Sequence, residues 1–80
     1  MTREEIETKV IDLVTKTLNL EAGKVEIGSH FKEDLDADSL GIAELGMAFE
    51  DDFSISIDED DFENINTVTD AVNYIQNLLS

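Results

Sequence analysis

Apolar residues recur at helical spacing in three separate stretches of this chain, and nowhere do they alternate over runs that could pair as strands. Ile6, Val10, Leu13, Val14 and Leu18 form one stripe; Ile42, Leu45, Gly46, Phe49 and Phe53 a second; Val68, Ala71, Val72, Ile75, Leu78 and Leu79 a third. Ile55 and Ile57 alternate with Ser54 and Ser56 like an extended segment. No other segment can pair with it, so it reads as a connector with two buried side chains. The expected fold is all-α: a small bundle of three main helices plus one short helix, with a long loop between the first and second helices.

Capping residues place the boundaries. Thr2 and Glu5 have capping-box spacing and open a helix over residues 3 to 18, which Asn19 and Gly23 end, Gly23 with the freedom in φ that a chain reversal requires. From residue 20 to 38 no period is sustained. Val25, Ile27, Phe31 and Leu35 are spaced as anchors that pin this loop to the core, and a loop so long in a small domain is more often functional than not. Asp38 is a good N-cap, which makes Ser39 the first residue of a helix running to about Phe53. Asp58 caps a short turn through Glu59 to Phe62, and Thr67 caps the last helix. Residues 1 to 80 read as a single domain, without internal repeat or low-complexity tract and near the lower size at which one core suffices.

The loop delivers Ser39 to a particular electrostatic setting. Its hydroxyl sits at the positive end of a helix, where free N–H groups and the helix dipole favour an added phosphate ester. The helix that follows is apolar on two faces. Opposite the core stripe lie Leu40, Ala43, Glu44, Met47 and Asp51, a half-exposed apolar strip bordered by acids. Scattered surface apolars are common; a strip beside Ser39 suits a docking surface.

Charge narrows the partners. The formal net charge is −15, and all five basic residues, Arg3, Lys9, Lys16, Lys24 and Lys32, precede residue 33. Glu33 and everything after it contribute fourteen acids and no Lys or Arg. Phosphate contacts need cations, so nucleic acid is excluded as a partner and basic protein surfaces are favoured. Self-repulsion on this scale predicts that added salt stabilises the fold. The chain has no cysteine, so any thiol chemistry must come from an added group. No apolar run reaches the length of a membrane span, and the acidic, amphipathic N-terminus is unlike a signal peptide. The expectation is a cytoplasmic monomer, or an organelle protein if a transit peptide has been removed.

The stretch DADSLGIAELGMAFEDDF resembles the prosthetic-group site and following helix of the acyl carrier proteins, whose pattern is an Asp-Ser-Leu triplet ahead of a glutamate-bearing helix. ISIDEDDFENINTVTDAVNYI is similar to the family's third helix and the opening of its fourth. Glu44, Met47, Phe53, Asp60, Ile65, Thr67, Val68, Ala71 and Ile75 fall in register with the triplet, and the likeness covers essentially the whole chain. It implies that a phosphopantetheinyl transferase attaches 4'-phosphopantetheine from coenzyme A to Ser39, with Asp38 serving recognition as well as capping. It implies a carrier rather than an enzyme, holding acyl groups as thioesters for acyl-transferring and elongating enzymes with basic docking surfaces. The pattern from Glu44 to Asp52 looks more like the fatty-acid type than carriers of polyketides or amino acids. Leu40, Ala43, Glu44, Met47, Glu50 and Asp51 are the expected partner surface. Ile42, Leu45, Gly46, Phe49 and Phe62 are the expected acyl pocket.

The chain departs from the family at several positions. Gly41 stands where an acid is usual, Gly46 where a branched apolar residue is usual, Ala43 where Val is frequent, and Asp58 replaces a proline. These changes fit a carrier devoted to a specialised pathway. Two other classes compete. A plain acidic adaptor would dock through Leu40, Ala43 and Met47 without any prosthetic group. A divalent-cation binder would use DLDAD at 34–38 or DEDD at 58–61, but neither completes an EF-hand: from Asp34, position six is Ser39 and position twelve Leu45; from Asp58, position five is Phe62 and position twelve Thr69. An enzyme is weaker still, because His30 is the lone histidine and reads as a loop residue of no catalytic consequence.

Overall fold

The computed structural model describes residues 1–79; Ser80, the last residue of the expected domain, lies outside them. Its four helices are α1 (Arg3–Thr17), α2 (Ser39–Phe53), α3 (Glu59–Phe62) and α4 (Val68–Leu79). Each starts where a side chain can accept from its free N–H groups. Thr2 Oγ1 accepts from the Glu5 N–H at 3.2 Å while Glu5 Oε1 accepts from the Thr2 N–H at 2.9 Å. Asp38 Oδ1 accepts from Gly41 at 2.8 Å, and Asp58 Oδ1 from Asp60 at 2.9 Å. At α4 the Thr67 hydroxyl accepts from the Asp70 N–H at 3.1 Å, and Asp70 Oδ2 accepts in return from Asn66 and Thr67 at 3.1 and 3.2 Å. The reciprocal carboxylate of a capping box is here an aspartate, one methylene shorter than usual. Left-handed residues mark the exits: Asn19 and Gly23 after α1, and Ser54 as the C-cap of α2.

Helix α1 packs against both α2 and α4. The core is built from Ile6, Val10 and Val14 of α1, Leu45, Phe49 and Phe53 of α2, and Val68, Ala71, Val72 and Ile75 of α4. Each of these side chains larger than alanine contributes roughly 1.5–3 kcal/mol relative to leaving it in water. The loop closes the remaining side with Val25, Phe31, Leu35 and Ala37, all buried. Lys9 joins α1 to α2, its Nζ 2.9 Å from Asp52 Oδ2 and 5.3 Å from the Phe53 ring centroid.

Three expected core positions lie at the surface. Ile27 is exposed, and the loop is anchored there by backbone instead: the Ile27 carbonyl accepts from the Thr69 N–H at 3.0 Å and the Thr69 hydroxyl at 2.6 Å. Leu78 and Leu79 are exposed because α4 runs past the start of α1, whose Arg3 guanidinium already meets Gln76 Oε1 at 2.8 Å. Ile55 and Ile57 are half-buried against the core as a connector.

Candidate functional site

Ser39 is exposed and is the first helical residue of α2. Two features hold it there. Ala37, two residues upstream, is buried and its N–H donates to the Phe31 carbonyl at 2.9 Å, so the loop is fixed immediately before the helix. Asp38 then has extended backbone, with its side chain on the Gly41 N–H and its carbonyl accepting from Ile42 at 2.9 Å. No other acid lies in the first turn of α2, so only Asp38 offsets the positive end of this 15-residue helix. Gly41 allows close packing here: a Cβ would meet Leu18 Cδ2 at 3.0 Å and Asp38 Oδ1 at 3.4 Å. Any larger side chain presses on the α1 exit and on the cap together.

A groove of about 630 Å³ opens beside Ser39. Its apolar lining comes from Ile42, Gly46 and Met47 on α2, with Ile57, Phe62 and Ile65 opposite; His30, Lys32, Glu50, Glu59, Glu63 and Asn66 supply polar groups. Of the five residues expected to form an acyl pocket, Ile42, Gly46 and Phe62 line this groove. Leu45 and Phe49 do not: both are fully buried and form the core behind it. Phe62 stands between the two, its ring T-shaped against Phe49 with centroids 6.3 Å apart, and its Cε2 3.5 Å from where a Gly46 Cβ would lie. The space a branched residue would occupy at position 46 is therefore bounded by the edge of Phe62.

The outer face of α2 is more open than the half-exposed strip expected from the sequence. Leu40 and Met47 are 68% and 58% exposed, and Ala43, Glu44 and Asp51 are exposed with them. Glu50 differs from its acidic neighbours. Its Oε2 accepts from the Ile57 N–H at 2.8 Å and its carbonyl from Ile55 at 3.1 Å, so it ties the connector back onto α2. Asp34, Asp38 and Asp58 likewise place a carboxylate oxygen on a backbone N–H. Among the described residues, no three His, Cys, Asp or Glu side chains are grouped to hold a metal ion.

His30 has a part in the loop that its sequence context does not reveal. Its Nδ1 accepts from the Lys32 and Glu33 N–H groups, both at 3.2 Å, while its own N–H donates to Asp34 Oδ2 at 2.7 Å. An imidazole thus takes the place of the hydroxyl or carboxylate that usually caps such a turn. The only signal for it was position, four residues ahead of an acid and just before the buried Phe31.

An exposed hydroxyl thus stands at a capped helix start, with a groove alongside. Residues 8–75 match the family model described as a phosphopantetheine attachment site. The acyl carrier protein of Porphyromonas gingivalis, from two strains, is 50% identical over 72 residues, covering 90% of this chain and 92% of the relative. That of Petrotoga mobilis is 39% identical over 80 residues, covering all of this chain and 94% of the relative.

Proposed function

Since the chain belongs to the acyl carrier proteins, and bears acyl groups on phosphopantetheine instead of transforming them, we propose that Ser39 is the residue to which that group is attached. The observation that carries this reading is the placement of one exposed hydroxyl at the positive end of α2 and at the wall of the groove. In the attachment step Ser39 Oγ forms a bond to the phosphorus of coenzyme A that becomes the arm's phosphodiester, adenosine 3',5'-bisphosphate leaves, and the hydroxyl proton passes to the transferase. When bound, the group supplies a terminal thiol on which an acyl chain is held as a thioester. Asp38 fixes the helix start and is read by the transferase together with Ser39.

Residues 1 to 80 act as one carrier domain, monomeric and cytoplasmic, serving fatty-acid synthesis or a specialised relative of it. No helix among the described residues is long and apolar enough to cross a membrane. Leu40, Ala43, Glu44, Met47 and Asp51 form the surface presented to basic partner enzymes, with Glu50 contributing mainly by holding the connector. The acyl chain enters the groove between Ile42, Gly46 and Phe62, and the Phe62 ring turns aside to admit it toward Phe49 and Leu45.

Intact mass before and after incubation with coenzyme A and a broad-specificity transferase tests the assignment. One added phosphopantetheinyl group, absent from Ser39→Ala, is the expected result. An unmodified wild-type chain, or modification that persists in Ser39→Ala, overturns it.

A further inference from the structure

The groove beside Ser39 is not uniformly acidic along its wall. Lys32 is the one lysine or arginine among the residues lining it, and His30 lies two residues away on the same loop. Three other bases are paired with acids: Arg3 with Glu7 at 3.2 Å, Lys9 with Asp52 at 2.9 Å, and Lys16 with Asp12 at 3.0 Å. Among the described residues no carboxylate lies within ion-pairing distance of Lys32 or of Lys24, although Glu33, Asp34 and Asp36 follow Lys32 directly in sequence. Its ammonium is thus exposed, unpaired and beside the groove. His30 is preset in a complementary way. Because Nδ1 accepts from two backbone N–H groups, the neutral ring carries its hydrogen on Nε2 and retains it as a donor.

We infer that Lys32 and His30 form an anion-holding edge of the groove, which takes the phosphodiester borne on Ser39: Lys32 pairs its charge with the phosphate and the His30 Nε2–H donates to a phosphate oxygen. The inference rests on Ser39 being the attachment site. Its physical motive is the charge distribution. A phosphodiester on Ser39 joins a segment with fourteen acids and no Lys or Arg from residue 33 onward, so Lys32 is the basic side chain of the groove lining that can attract it. A charged hydrogen bond to phosphate is stronger than a neutral one, and at an exposed site it weakens as salt screens it. The base of the arm is therefore drawn to the loop side of the groove at low salt and released at high salt.

The test uses the modified protein, with mass and peptide fragmentation first confirming one adduct on Ser39. The ³¹P resonance of the phosphodiester is then followed against sodium chloride in wild type, Lys32→Gln, Lys32→Glu and Lys32→Arg, and the His30 ring ¹⁵N shifts are compared between unmodified and modified protein. The expected result is a salt-dependent ³¹P shift in wild type, lost in Lys32→Gln and Lys32→Glu and kept in Lys32→Arg, with an Nε2 shift that moves on modification. The Lys32 side chain is exposed and its structural bond is made by its backbone N–H, so these variants keep the loop intact. Identical ³¹P behaviour in wild type and Lys32→Glu, with an unmoved His30 ring, overturns the inference while leaving Ser39 as the attachment site. Absence of any adduct on Ser39 overturns both.

Discussion

The edge of Phe62 lies against the bare backbone of Gly46, close enough that a Cβ at position 46 would touch Phe62 Cε2 at 3.5 Å, an ordinary van der Waals contact. Alanine therefore fits there without displacement, whereas the branches of valine extend further toward the ring. Gly46→Ala should stabilise the protein by roughly 0.5–1 kcal/mol, because glycine is that much poorer in a helix interior. Gly41→Ala should gain less, since its Cβ would meet Leu18 Cδ2 at 3.0 Å and crowd the Asp38 cap. Urea midpoints at unchanged slope measure both; a larger gain at Gly41 than at Gly46 contradicts the packing described.

The same contact predicts how cargo is admitted. Gly46→Val, whose branches press on the Phe62 edge, should abolish any extra stability that acylation gives the wild type, whatever its effect on unacylated protein carrying the arm. Melting temperatures of the two forms in both proteins decide it. Equal stabilisation by acylation in wild type and variant would place the acyl chain elsewhere.

Asp38→Ala removes the acceptor for the Gly41 N–H and should cost about 1 kcal/mol. Modification of Ser39 should slow by more than the unfolded fraction explains. A variant that is folded and modified at the wild-type rate would limit Asp38 to capping.

Glu44 and Glu50 separate docking from folding. Glu44 is exposed and belongs to the outer face, so Glu44→Lys should slow transferase modification at low salt, the difference shrinking as salt is added, with stability little changed. Glu50→Ala takes the acceptor from Ile57 and should cost about 1 kcal/mol or more through the unsatisfied N–H. Modification rates and urea midpoints for both variants check the division; a destabilised Glu44→Lys or a neutral Glu50→Ala reverses it.

Acid should loosen the start of α1. Hydrogen bonds from the Thr2 backbone and side chain hold the Glu5 carboxyl below its ordinary value of 4.5. The folded value is depressed, so this contribution is present above pH 4.5 and is lost as pH falls through the folded value. Amide shifts of Thr2 and Glu5 should titrate together in that window, and Glu5→Gln should flatten the Thr2 response. A Thr2 amide indifferent to pH would remove the link.

Much of this was legible in the sequence because helix caps and stripes are local. Thr2, Asp38 and Thr67 mark helix starts within a few residues of the groups they satisfy, and the 3.6-residue period assigns Leu45, Phe49 and Phe53 to one face of α2. What the period cannot give is where a neighbouring helix stops. Leu78 and Leu79 have the correct angle around α4 but pass beyond Gln76, where α1 begins. Nor does angle distinguish a groove lining from the core behind it: Leu45 and Phe49 share a stripe with Ile42 and Gly46, and only the position of Phe62 separates them. His30 was unreadable for a different cause. Its importance lies in one ring nitrogen accepting from two backbone groups, and no spacing rule encodes that.

The loop ahead of Ser39 is laced to the start of α4. Phe31 donates to the Asn66 carbonyl, Val68 to Ser29 and Thr69 to Ile27, at 2.9–3.0 Å, and these partners are about 35 to 42 residues apart in the chain. A long segment must be closed before any of them is made, so they are expected to open as a set. The serine's approach and the entry to the last helix should therefore behave as one cooperative unit: a fluctuation that frees the loop also frees the Val68 and Thr69 N–H groups, and hydrogen exchange at Phe31, Val68 and Thr69, corrected for intrinsic rates, should report a common opening free energy. An opening of the attachment site is then felt at the far end of the sequence, without any signal having to pass through α2.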